Sequence, residues 1–73
     1  MVEVRAELSA NVWQVRVEVG QAVAVDDDVV VLESMKMEHE VRAPRAGRIA
    51  DAGVRAGDQV VPGQVLARYV EER

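Results

Sequence analysis

The chain contains no cysteine and no phenylalanine, one tryptophan, one tyrosine and a single histidine. Without cysteine there is no disulfide and no thiolate metal site, and nothing points to an oxidising compartment. With so few aromatics and a net charge of −4, the chain lacks the basic face and stacking side chains used to bind nucleic acid. The same charge makes it a poor ligand for an anionic membrane. Long hydrophobic runs are absent too. Val29-Val30-Val31-Leu32 is the longest strongly aliphatic stretch, far too short to cross a bilayer. Glu3, Arg5, Glu7, Arg16 and Glu18 break up the first twenty residues, which leaves no apolar core for a signal peptide. The cytoplasm is the expected location.

Lysine is nearly absent. Of nine basic residues, eight are arginine and one is lysine, Lys36. A guanidinium stays protonated, whereas an amine can be acylated. The only lysine is therefore the first place to look for nucleophilic chemistry. Valine is the opposite extreme, with 17 of the 73 residues, and branched Cβ atoms suit pleated strands. A chain of this length is expected to form a single domain, residues 1–73, at the small end of the independently folding range.

Helical periodicity is nowhere sustained, but alternation is clear. From Trp13 to Val19 the odd positions are apolar and the even ones polar, the period of a half-buried strand with Trp13 as a packing residue. Val29 to Leu32 is continuously apolar, as in a strand covered on both faces. Met37 to Arg42 alternates again, and Val65 to Val70 predicts a final strand. Turn residues separate these runs at Gly20-Gln21, Asp26-Asp27-Asp28, Pro44 to Gly47, Gly57-Asp58 and Pro62-Gly63.

The chain also repeats at an offset of 37 residues. Val12 aligns with Ile49, Val17 with Val54, Gly20 with Gly57, Val23 with Val60, Asp26 with Gly63 and Val29 with Leu66. Two half-copies that each bury one face stabilise one another by packing face to face. A pseudo-twofold sandwich of two small sheets is expected. Position 36 aligns with position 73, so the segment around Lys36 should project from the end opposite the termini.

That segment, Glu33-Ser34-Met35-Lys36-Met37-Glu38, joins two strand-like runs. A tight turn there would ordinarily use Asn-Gly or Asp-Gly, which tolerate positive φ, yet the tip is Met-Lys-Met. Failure of a local rule is expected at functional sites. Together with Ala43-Pro44-Arg45-Ala46-Gly47-Arg48-Ile49 and Val54-Arg55-Ala56-Gly57-Asp58-Gln59-Val60, it resembles the biotinyl/lipoyl carrier family over roughly Leu8 to Val70. Lysine between two methionines resembles the biotinyl branch, since lipoyl domains usually have Asp-Lys-Ala or similar.

The resemblance implies an all-β flattened barrel or sandwich of two roughly four-stranded antiparallel sheets with pseudo-twofold symmetry. It implies biotin attached covalently to Lys36, with Met35 and Met37 as motif flanks and Glu33, Ser34 and Glu38 as candidates for ligase recognition. The partners it implies are a biotin protein ligase, a biotin carboxylase and a carboxyltransferase. Such a chain catalyses nothing alone, carries carboxyl groups, and is expected to be a monomer on its own. Val19-Gly20-Gln21-Ala22-Val23 leaves no room for the protruding thumb of some biotin carriers. The first half departs from the family's Pro-x-x-Gly with Glu7-Leu8-Ser9-Ala10, and Asp26 stands where a turn glycine is common. The rival readings are a lipoyl carrier for acyl or aminomethyl transfer, and an unmodified interaction module. Outside the hairpin, Asp26-Asp27-Asp28 lacks calcium-loop spacing and reads as a solvated turn. His39 has no partner for metal binding or a triad and reads as structural or surface. Glu33, Glu38 and Glu40 make an acidic rim, either solvated or part of a ligase footprint.

Overall fold

Valine-rich alternation produces eight strands and no helix among residues 1–72, those the structure, a computed structural model, describes. In chain order they are β1 (Val2–Arg5), β2 (Ala10–Val15), β3 (Ala22–Val23), β4 (Asp28–Ser34), β5 (Met37–Arg42), β6 (Gly47–Ala52), β7 (Gln59–Val60) and β8 (Val65–Glu71). They form two four-stranded antiparallel sheets with orders β1-β8-β6-β3 and β5-β4-β2-β7. This is the expected fold class.

The internal repeat is realised bond by bond. Shifting by 37 carries β2 to β6, β3 to β7 and β4 to β8, while β1 stands where the second copy would continue into a β5. Gly57 N–H donates to Val12 O and Gly20 N–H to Ile49 O, both at 2.8 Å. Asp26 N–H donates to Ala43 O and Gly63 N–H to Ala6 O, again both at 2.8 Å. Side chains obey the same rule: Ala24 N–H donates to Asp27 Oδ2 at 2.8 Å, and Val61 N–H to Gln64 Oε1 at 3.3 Å. The aligned apolar residues Val12, Ile49, Val17, Val54, Val23, Val60, Val29 and Leu66 are all buried and belong to one core cluster. Each half thus supplies the apolar cover the other lacks, which a chain this short requires.

Asp26 has φ 69° and its counterpart Gly63 has φ 88°. An aspartate can take the left-handed conformation the turn needs, so the missing glycine leaves the turn intact. The acidic triplet is divided among separate tasks: Asp26 makes the turn, Asp27 accepts from Ala24, and Asp28 opens β4 with Arg42 Nε 3.5 Å from its carboxylate.

Three expectations are corrected. The Trp13–Val19 alternation does not form one strand, because β2 ends at Val15. A bulge between Val12 and Gln14 also shifts the register on β4, and one extra residue reverses which side chains face inward. Val12 is buried as a result and Trp13 is 42% exposed, while Val19, past the end of β2, is 68% exposed. Finally, Asp28 and Gly47 lie within strands rather than turns. Val29 to Leu32 is buried throughout as expected, with Val31 alone outside the core cluster. The short edge strand β1 had no counterpart in the sequence reading.

The long axis of the molecule is 37 Å against 18 Å for the other two. From the β4–β5 turn, β5 runs the length of its six residues to Arg42, about 20 Å at strand rise. The chain then enters β6 at Gly47, opposite Glu71, and Val2 pairs with Tyr69 on the same sheet. Both ends of the described chain therefore gather at the Ala46–Gly47 end, remote from the turn. Arg73, the counterpart of Lys36 in the repeat, lies outside the described residues.

Candidate functional site

β4 and β5 pair in register as Leu32 with His39, Glu33 with Glu38 and Ser34 with Met37. The buried Leu32 fixes which face of β4 points inward, and the hairpin extends this register to its tip. Two residues remain to close it, Met35 with φ 53° and Lys36 with φ 63°. Positive φ at both central positions is the left-handed turn whose twist matches the flanking strands. For residues with a Cβ, this conformation costs roughly 1–2 kcal/mol each. Neither methionine packs in the core: Met35 is 91% and Met37 62% exposed.

Lys36 is exposed and, among the described residues, takes part in no hydrogen bond or ion pair. The fold thus presents a lone primary amine on a short rigid tip. All six residues singled out on this segment, Glu33, Ser34, Met35, Lys36, Met37 and Glu38, come together on one hairpin. Glu33 and Glu38 face one another across the strands, a like-charge pairing that weakens a sheet. Glu40 is separated from them in charge, because Arg42 Nη2 donates to its Oε2 at 3.1 Å. That bond raises the Arg42 pKa, helped by the Glu40 and Asp28 charges. His39 is half-buried on the inward side of β5, beside Val41.

Beside the hairpin lies a recess of about 380 Å³ walled by Ser9, Ala10, Asn11, Glu33, Ser34, Met35, Gln59, Val60 and Val61. The sequence reading assigned no site role to Ser9, Asn11, Gln59 or Val61. Their signal is a departure from the repeat: the counterparts of Ser9, Asn11 and Gln59 are Ala46, Arg48 and Ala22.

A sheet sandwich with twofold internal symmetry and one lysine on a projecting turn is the architecture of a covalent carrier domain. The family profile described as "Biotin-requiring enzyme", covering biotinyl and lipoyl domains, matches residues 3–69. The chain belongs to this biotinyl/lipoyl family. It is 44% identical over 63 residues to "Methylcrotonoyl-CoA carboxylase subunit alpha, mitochondrial" of Arabidopsis thaliana, covering 86% of this chain but only 9% of that one. It is 42% identical over 65 residues to "Biotinylated protein TB7.3 homolog" of Mycobacterium leprae (strain TN), covering 89% of this chain and 92% of that one. Among solved structures, a single-chain, multi-domain long-chain acyl-CoA carboxylase superposes with a TM-score of 0.92 at 32% identity, over 99% of this chain and 7% of that one.

Proposed function

We propose that this chain is a biotin carboxyl carrier. Lys36 receives biotin from a biotin protein ligase, and the tethered group serves a biotin carboxylase and a carboxyltransferase. The observation that carries the reading is the chain's only lysine, exposed at a left-handed two-residue turn between two exposed methionines. Relatives named for biotin and for carboxylases support it.

Lys36 fits a covalent acyl group. Its amine is engaged by no other described residue, and nothing has to move for a ligase to reach it. The uncharged Lys36 amine attacks the acyl carbon of a biotinyl-adenylate. An amide C–N bond forms, the acyl–phosphate bond breaks, AMP departs and the nitrogen gives up a proton. Once attached, biotin supplies a ureido nitrogen that takes up and releases a carboxyl group. The chain itself holds the attachment point at a fixed place and keeps the carried group at high local concentration for successive active sites. Met35 and Met37 offer soft, adaptable apolar contacts to whichever enzyme docks. Glu33, Ser34 and Glu38 flank the lysine, where a ligase would grip it.

The test is intact mass after incubation with a biotin protein ligase, ATP and biotin. Wild type is expected to gain one biotinyl group, and Lys36→Arg none while melting at the same temperature. Continued streptavidin capture of the arginine variant would overturn the assignment. A lipoyl adduct alone on protein from its native host would replace biotin with lipoate, and no adduct would leave an interaction module.

A further inference from the structure

The two halves carry a bulge at the same point of the repeat. In β2 it lies between Val12 and Gln14, against β4, and in β6 between Ile49 and Asp51, against β8. The extra residue is Trp13 in one half and its counterpart Ala50 in the other. The bulged backbone therefore needs nothing larger than alanine. Trp13 and Gln14 together oppose Val31, as Ala50 and Asp51 oppose Arg68. Val30 and Leu32 point into the core, so Val31 and the residues opposite it face outward.

The outward faces built on these two bulges differ in kind. On the β1-β8-β6-β3 sheet the charges neutralise one another. Arg68 Nε donates to Glu3 at 3.0 Å and its Nη1 lies 3.7 Å from Asp51, while Arg45 and Arg48 pair with Glu71 and Glu72. On the β5-β4-β2-β7 sheet Val31 takes the place of the central arginine, and Gln14 that of its aspartate. Val31 is buried although it lies outside the core cluster. Trp13 beside it is the one exposed aromatic, since Tyr69 is buried and there is no phenylalanine. Glu33 and Glu38 oppose each other on the same outward face, and neither enters an ion pair among the described residues. Their repeat counterparts are Val70 and Met1. This sheet thus gives up the ion pairs of its twin, exposes an indole where alanine serves, and keeps a like-charge pair that weakens it.

We propose that this outward face, centred on Trp13, is a docking surface for a protein partner that presents an arginine among other basic side chains. A guanidinium stacks on an indole face and does so better than an ammonium. Tryptophan and arginine are also the side chains that concentrate binding energy at interfaces. The unpaired Glu33 and Glu38 carboxylates supply the charge complementarity that steers a basic surface into place. A net charge of −4 on the chain disfavours a second copy of itself as the occupant. The surface is separate from the attachment point but close to it. Val31 and Ser34 are three residues apart on β4, about 10 Å at strand rise, so a partner seated on Trp13 has the hairpin tip beside it. The docking surface stands whether Lys36 carries biotin, lipoate or nothing.

The experiment uses the unmodified full chain, so its outcome is independent of the adduct that tests the carrier reading. The probes are two aromatic-free peptides of equal length and charge, one alternating arginine with glycine and the other lysine with glycine. Because Trp13 is the only tryptophan, its fluorescence reports the site directly. The arginine peptide is expected to bind more tightly than the lysine peptide by about threefold or more, and both to weaken as salt rises. In ¹⁵N spectra it should shift the Trp13 indole and the amides of Gln14 and Glu33, and leave Ala50 and Val70 unchanged. Trp13→Ala, which copies Ala50, should erase the difference between the peptides, and Glu33→Gln/Glu38→Gln should weaken both. The spectra use wild type alone and decide the matter even if a variant fails to fold. Equal affinity for the two peptides on wild type, or shifts spread over both sheets, would overturn the proposal. Trp13 signals that move with protein concentration in the absence of peptide would overturn it too, by making a second copy the occupant.

Discussion

Met35 and Lys36 share one conformation: both lie in the left-handed region, at φ 53° and 63°, and between them they reverse the chain from β4 to β5. Neither residue type favours that region, so the hairpin carries strain at its attachment point. Asn-Gly is the pair that this turn prefers. The double substitution Met35→Asn/Lys36→Gly should therefore stabilise the fold, by about 1 kcal/mol, and raise the melting temperature by about 4–8 °C for a chain of this size. It should also abolish any adduct. Calorimetry on the apo protein checks the first expectation. An unchanged or lowered melting temperature would show that Met35 and Lys36 contribute contacts outweighing the strain.

Gly47 opens β6 where its counterpart is Ala10, and the difference has a neighbour to explain it. A Cβ at position 47 would meet the Tyr69 ring at 2.5 Å and press on the Val70 carbonyl. Tyr69 is fully buried, and its hydroxyl donates to Arg45 O at 2.8 Å and accepts from Arg45 N–H at 3.1 Å. The first half has Leu32 in place of Tyr69 and tolerates alanine. Gly47→Ala should destabilise by about 1–3 kcal/mol through overpacking. Gly47→Ala/Tyr69→Leu copies the Ala10–Leu32 arrangement and should recover part of the loss, the rest reflecting the Val70 carbonyl, which the leucine leaves in place, and the unpaired Arg45 groups. Urea denaturation of the four proteins in the cycle measures the coupling. Additive losses would mean that the ring and the backbone at position 47 are independent.

The fold was legible wherever the repeat spoke. Val12, Val17, Val23 and Val29 and their partners recur because each half must bury the same face, and a recurring valine survives as a pattern. Trp13 was misread because a bulge inserts a residue without changing composition, and only the register on β4 reveals it. Val19 was misread because the alternation runs on past Val15, where β2 ends. On the hairpin, Lys36 stood out by its rarity and its departure from turn preference. The recess escaped notice because Asn11 and Gln59 are ordinary surface residues until the counterpart positions, Arg48 and Ala22, are placed beside them in three dimensions.

Glu3 links β1 to the rest of its sheet, accepting from Arg68 Nε at 3.0 Å and from Arg5 Nη2 at 2.6 Å. The Arg68 bond first, then the Arg5 bond and charge, hold its carboxyl below the ordinary carboxylate range. A carboxylate with a folded-state pKa below its unfolded value adds stability above that unfolded value and loses it as pH falls through the folded one. Glu3→Gln should accordingly melt lower than wild type near neutral pH. The gap should narrow steadily as the solution is acidified below the usual carboxylate range, and high salt should shrink it, since the group is exposed. A gap that is constant from neutral pH to acid would indicate a packing effect without linkage to the Glu3 proton.

The placement of the tip makes two manipulations opposite in consequence. Both ends of the described chain lie near Ala46 and Gly47, and β5 separates them from the β4–β5 turn. Fusing a large protein to either terminus should leave ligase-dependent biotin incorporation at Lys36 close to the wild-type rate. Moving the lysine by one residue should not. In Met35→Lys/Lys36→Met the amine leaves the second position of the turn for the first. There the side chain projects toward the recess walled by Ser9, Asn11 and Gln59 and away from the position that Lys36 occupies. The backbone still needs the same two positive φ angles, and methionine and lysine simply exchange the strain, so the variant should fold with wild-type stability. Its initial rate of ATP-dependent biotin incorporation should nevertheless fall by an order of magnitude or more, about 1.4 kcal/mol in the transition state per tenfold. Equal rates for the shifted lysine would show that the ligase reads an accessible amine and not its place on the turn. Loss of incorporation in a folded terminal fusion would show instead that the ligase spans the long axis and contacts the far end.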